Sequence, residues 1–76
     1  MINIYTKNNC MPCKMTKNWL RNHGLTYNEI NVDEDLAAIE YLISINCRTM
    51  PVVFKDDELV AMGFQPQNLK QLKGGK

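Results

Sequence analysis

The stretch "YTKNNCMPCKMTK", residues 5–17, holds two cysteines three positions apart, set between a strand-like run and a helix-like run. Such a pair serves one of three ends: a metal site, a permanent cross-link, or a bond that is made and broken. Just upstream, "INIYT" (2–6) alternates apolar and polar residues and is rich in β-branched and aromatic side chains, which predicts a strand running into the loop "KNNC". From Met11 the pattern turns helical: Pro12 is tolerated in a first turn, Cys13, Thr16 and Leu20 share a face, and Gly24 is placed to stop the helix. Cys10 is therefore expected at a helix N-terminus, with Cys13 inside the first turn.

Working outward, "TYNEINV" (26–32) alternates again as a second strand. Asp33 is the expected N-cap of "EDLAAIEYLISIN", in which Leu36, Ile39, Leu42 and Ile43 form an apolar stripe. "PVVFK" (51–55) and "ELVAM" (58–62) are short strands whose connection through Asp56, Asp57 and Glu58 suits an antiparallel hairpin. Pro66 opens a last helix, "PQNLKQLK", and "GGK" (74–76) is expected to be a flexible tail. The order βαβαββα implies an α/β fold: one parallel pair with a right-handed crossover, then a hairpin added to the same sheet, giving four mixed strands and three helices.

Seventy-six residues make one small domain, spanning 1–76, that buries only about 60% of its unfolded surface. The segment "MINIYTK" has no apolar run of signal-peptide length, and no later segment approaches the roughly 20 apolar residues of a membrane span, so a cytoplasmic location is expected. In a reducing compartment a close cysteine pair is catalytic or metal-binding more often than structural, and three cysteines cannot all pair. The net charge of +1 speaks against general nucleic-acid binding. Its distribution is uneven: residues 1–28 carry Lys7, Lys14, Lys17 and Arg21 with no acid, while all eight acids fall between Glu29 and Glu58.

A cysteine ahead of a helix feels the unpaired backbone N–H groups, and nearby lysines add to that field, so the thiolate of Cys10 is favoured. Lower basicity costs intrinsic nucleophilicity, which leaves a net gain in attack of only about threefold; the larger benefit is that Cys10 becomes a good leaving group. Cys10 is thus the exposed attacking thiol and Cys13, sheltered on the inner face, the resolving one. Two other readings stand beside this: buried cysteines acting as small hydrophobes, and a structural metal-binding or protein-binding module. Zinc would need further ligands, and only Cys47 and His23 remain. His23, next to Gly24, is more simply a helix C-terminal residue meeting the last carbonyls.

"CMPC" after the first strand, "TMPVVF" opening the third and "GFQP" after the fourth together resemble the thioredoxin superfamily. The length is that of a glutaredoxin, and from Ile2 to about Leu72 the chain is most similar to the NrdH-redoxins, glutaredoxin-like carriers of electrons from thioredoxin reductase to class Ib ribonucleotide reductase. The resemblance implies a redox carrier with thiol-disulfide oxidoreductase activity in which Cys10 and Cys13 react. Met11, Pro12, Thr49, Met50, Pro51, Gly63 and Phe64 would bind the substrate, with a cis peptide between Met50 and Pro51. It further implies a monomer that holds no metal or cofactor of its own and takes electrons from NADPH through the flavin-containing reductase. Glutaredoxins usually have an aromatic residue before the second cysteine and a Gly-Gly segment that holds glutathione; here Pro12 and "GFQP" stand in those places. A glutathione-dependent glutaredoxin is accordingly the alternative. Ala61, Met62 and Gln65 replace the family's common Trp, Ser and Arg, and Met11, Met50, Met62 and Phe64 are expected to form an apolar rim.

Overall fold

Alternation in the first strand divides the molecule into two faces. In the computed structural model, which describes residues 1–72, β1 (Ile2–Thr6) buries Ile2, Ile4 and Thr6 on one side and turns Asn3 and Tyr5 to the other. It lies inside a four-stranded sheet of order β2-β1-β3-β4, parallel to β2 (Asn28–Asn31) and antiparallel to β3 (Val52–Lys55), which pairs antiparallel with β4 (Glu58–Met62). The expected order of elements and the mixed sheet are both present. Strand β2 is shorter than the alternation suggests, and Pro51, which lacks an N–H for the ladder, stands just outside β3. Asp56 and Asp57 form the hairpin turn with φ of 50° and 72°, the double left-handed geometry of a two-residue connection, while Glu58 is already in the strand.

Helix α1 (Met11–Asn22) covers one face of the sheet with Leu20, packed with Ile2, Ile4, Val53, Ala61, Leu69 and Leu72. It stops as predicted. Gly24 sits at φ 71°, and the N–H groups of Gly24 and Leu25 return to the carbonyls of Arg21 and Leu20. His23 caps the same end, its Nδ1 2.8 Å from the Trp19 carbonyl and its ring stacked on the Trp19 indole.

Helix α2 (Leu36–Ser44) covers the other face, and here two expectations are corrected. The N-cap is Asp35, whose carboxylate accepts the Ala38 N–H at 3.1 Å. Asp33 is committed elsewhere: its N–H donates to Asn31 Oδ1 and its carboxylate accepts from Asn8, so the chain turns once more before the helix begins. The buried face is also narrower than the apolar stripe and lies to one side of it. Ala38 and Leu42 go inside with Ile39 beside them, whereas Leu36 and Ile43 are 72% and 49% exposed. Replacing Asp35 with Ala is expected to cost about 1 kcal/mol in urea unfolding.

The end of α2 explains Cys47. Asn46 takes the left-handed position at φ 65°, and Cys47 N–H returns to Leu42 O at 2.8 Å, which places the Cys47 side chain against that last turn. It is buried in the same cluster as Leu42. The C-terminal segment forms α3 (Pro66–Leu69) followed by a 3-10 turn, Lys70–Leu72, rather than one continuous helix. The tail expected at 74–76 lies outside the described residues.

Candidate active site at the start of the first helix

The site is built at the carboxyl ends of β1 and β2. The loop leaving β1 passes through Asn9 at φ 55°, a left-handed position that asparagine tolerates well. It is tied down by the turn before α2: Asn8 N–H donates to Asp33 Oδ2 at 2.7 Å, and Asn31 Nδ2 donates to Asn8 Oδ1 at 3.0 Å. These three Asx residues fix where the cysteines begin. Sequence reasoning missed them, although the runs "KNN" and "NVDED" carried the turn-forming composition that signals such anchors.

Cys10 is the N-cap of α1, extended at φ −118°, and its Sγ accepts the Cys13 N–H at 3.1 Å. The sulfur therefore sits among the unpaired N–H groups of the first turn, and α1 has no acid in that turn to oppose a negative charge. Cys10 and Cys13 form a disulfide, their Cα atoms 5.2 Å apart. Cys10 is only 5% exposed, not the open attacking group expected. As the cap it points into the helix end, and it packs in one cluster with Cys13, Cys47 and Met50. The exposed sulfur belongs to methionines instead: Met11, between the two cysteines, is 65% exposed, and Met15 and Met62 are also open to solvent.

The remaining predicted residues come from two loops that meet beside the pair. The Met50–Pro51 peptide is cis, as expected, and the Met50 backbone is left out of the ladder that begins at Val52. Gly63 N–H donates to Pro51 O at 2.7 Å, joining the β4–α3 loop to this turn. Gly63 holds φ 84°, and an added Cβ would meet only Thr49 Cγ2 at 3.6 Å, so the backbone conformation rather than space calls for glycine. Of the expected apolar rim, Met11 and Met62 are exposed and Phe64 is half-buried, but Met50 is buried in the core cluster. A shallow groove of about 280 Å³ lies alongside, lined by Ile39, Ile43, Cys47, Arg48 and Met50. Gln65 ties the last helix to the end of β4, its Oε1 accepting from Met62 N–H at 2.9 Å and from Asn68 Nδ2 at 3.2 Å.

One polar group lies beneath the sheet end. Buried Thr6 donates to Glu29 Oε2 at 2.8 Å, and Lys17 Nζ meets the same oxygen at 3.0 Å. Burial pushes the Glu29 carboxyl up, but the hydrogen bonds from Lys17 and Thr6, with the charges of Lys17 and Arg21, outweigh it and hold the group below its ordinary 4.5. The folded state thus binds fewer protons at this site than the unfolded chain. Its contribution is complete above the ordinary glutamate value and is lost as pH falls through the lowered one. Glu29→Gln is expected to flatten the fall of the urea midpoint with acidification in that range. The part due to Asp56 should remain, since the N-terminal ammonium that hydrogen-bonds it lowers its carboxyl in the same direction.

No group of His, Cys, Asp or Glu among the described residues is arranged to hold a metal ion. What the geometry provides is a pair of sulfurs that close into a ring at a helix N-terminus, a chemistry of two-electron exchange.

Comparison with known proteins agrees with this arrangement. The glutaredoxin family model matches residues 2–60. The glutaredoxin-like protein NrdH of Lactococcus lactis subsp. cremoris is 46% identical over 72 residues, covering 95% of this chain and 99% of the relative. NrdH of Escherichia coli K12 is 39% identical over 71 residues, covering 93% and 86%. Among solved structures, the NrdH-redoxin of Escherichia coli superposes with a TM-score of 0.88 at 38% identity, covering 93% of this chain and 92% of that one. A glutaredoxin from Archaeoglobus fulgidus gives 0.81 at 29%, covering 96% and 86%. The fold and its cysteine pair are those of a glutaredoxin-like redox protein. The chain belongs to the glutaredoxin family and, within it, to the NrdH-redoxins.

Proposed function

We propose that this chain is a cytoplasmic dithiol electron carrier that reduces a partner protein's disulfide, that of the class Ib ribonucleotide reductase large subunit, and is itself reduced by thioredoxin reductase. The observation that carries the reading is the Cys10–Cys13 pair closed at the α1 N-terminus beside the cis Met50–Pro51 turn. Cys10 thiolate attacks one sulfur of the partner disulfide and expels the other as a thiolate. Cys13 gives up its proton and attacks Cys10 Sγ, which breaks the mixed disulfide and releases the second partner thiolate. Two electrons pass to the partner; its two thiolates take up two protons, one given up by Cys13 in this step and one matching the proton lost when Cys10 ionised. The Met50 backbone beside the pair supports pairing with an extended partner segment, in the manner of strand addition.

The chain acts as a monomer without a bound cofactor, and the electrons derive from NADPH through the reductase flavin. Pro12 before the second cysteine and "GFQP" in place of a Gly-Gly segment favour that donor over glutathione. In support, the related Escherichia coli NrdH-redoxin is described as having a thioredoxin-like activity profile. No helix among the described residues is long and apolar enough to cross a membrane. The deciding experiment offers the oxidised protein either NADPH with thioredoxin reductase or glutathione. Rapid reduction by the enzyme and slow reduction by glutathione is the expected result; the reverse order establishes a glutathione-driven glutaredoxin.

A further inference from the structure

Helix α1 faces solvent with Met11, Lys14, Met15, Asn18 and Arg21, spaced three or four apart and therefore on one side. No acid occurs anywhere in α1 or before it. Among the described residues the ion pairs are Met1 with Asp56 and Lys17 with Glu29, so Lys14 is in neither. Arg21 bonds neutral groups, Asn18 Oδ1 at 2.6 Å and Tyr27 Oη at 3.5 Å. Glu29 is the one carboxylate that reaches this side, and it is shared by Lys17 and Thr6. Three cations, Lys14, Lys17 and Arg21, against one anion leave a net charge of +2 along the helix. The acids Asp33, Glu34 and Asp35 sit beyond the Asn8 loop, at the turn into α2. The surface around the cysteines is thus divided by charge, positive along α1 and negative toward α2.

We propose that this face of α1 is the docking track for an acidic segment of the partner protein. Its carboxylates lie along Lys14 and Arg21, and an apolar side chain rests on the pliable thioethers of Met11 and Met15. Continuity with the reacting pair supports the assignment: Met11 lies between the cysteines and Lys14 follows the second, so a segment on this track leads into the disulfide. The inference rests on the carrier reading and adds to it the chemistry of the partner segment that meets this face.

The test uses two synthetic peptides of identical length, each closed by its own Cys-Cys disulfide, one flanked by three Glu and the other by three Lys. The reduced protein is mixed with each, and with neutral hydroxyethyl disulfide. At about 10 mM salt the Glu peptide should be reduced at least about fivefold faster than the Lys peptide, and the advantage should shrink below about twofold at about 500 mM salt, where charges are screened within a few ångströms. Arg21→Glu, two turns beyond Cys13, should remove most of the advantage while the rate on hydroxyethyl disulfide stays unchanged. Lys14→Glu should reverse the ratio of the two peptide rates, a ratio in which any change in thiol reactivity cancels.

Equal peptide rates at low salt, or a preference for Glu that survives both substitutions, overturn the proposal. A single-stranded dodecanucleotide that blocks the Glu peptide as well as a second acidic peptide does would also overturn it, by making the face a general polyanion surface. Failure to reduce even hydroxyethyl disulfide defeats the carrier reading itself, and this proposal with it.

Discussion

Replacing Cys13 with Ser should stop the cycle at the mixed disulfide, cutting multiple-turnover reduction of a protein disulfide to about 1% or less, because Cys10 attack still occurs but nothing resolves its product. The trapped species is visible as a covalent adduct that reductant dissolves. Replacing Cys10 instead should give no adduct, since Cys13 is the more deeply buried sulfur and lies inside the helix turn. Non-reducing electrophoresis with mass spectrometry reads both outcomes. Full turnover by the Cys13 variant would deny it the resolving role.

The second large effect concerns stability. Leu42 is completely buried, and it packs in the cluster that also contains Cys13, Cys47 and Met50. Leu42→Ala should lower the unfolding free energy by about 2–5 kcal/mol, through lost apolar burial and the cavity left behind. For a domain of this size that is a large part of the total. Ile43→Ala, one position on but half exposed, should change it by less than about 0.5 kcal/mol. Urea titrations of the two variants side by side test whether Leu42 alone of this pair holds α2 to the sheet. Equal losses would restore the broad stripe that the periodicity implies.

The order of elements was legible because each has a strong local signal: alternation in Ile2–Thr6, Gly24 after α1, and two aspartates at the hairpin. The helix start at Asp35 was not, since "DED" offers three residues of which two are good caps, and only the hydrogen bond from Asn8 to Asp33 decides between them. The buried face was not legible either: the apolar stripe is wider than the surface α2 lays on the sheet, which takes Ala38 and Leu42 and leaves Leu36 and Ile43 exposed. At the site, the cysteine spacing and Met50–Pro51 were readable as local pattern and resemblance. The burial of Cys10 and Met50 was not, because it depends on α2 and the loops closing over them from distant sequence. Nothing local to "INCRTMP" decides whether Cys47 is exposed or packed; the left-handed turn at Asn46 buries it against the end of α2.

The distribution of sulfur bears on chemical selectivity. In the disulfide form all three cysteines are almost wholly covered, while four methionines, Met1, Met11, Met15 and Met62, are exposed. A small thiolate arriving by diffusion therefore finds little of the disulfide exposed. A macromolecule that displaces part of the cover reaches the cysteines. Discrimination between wanted and unwanted reactants is in this way moved from intrinsic reactivity to access, which lets one chain keep a readily exchanged bond without leaving it open to every solute.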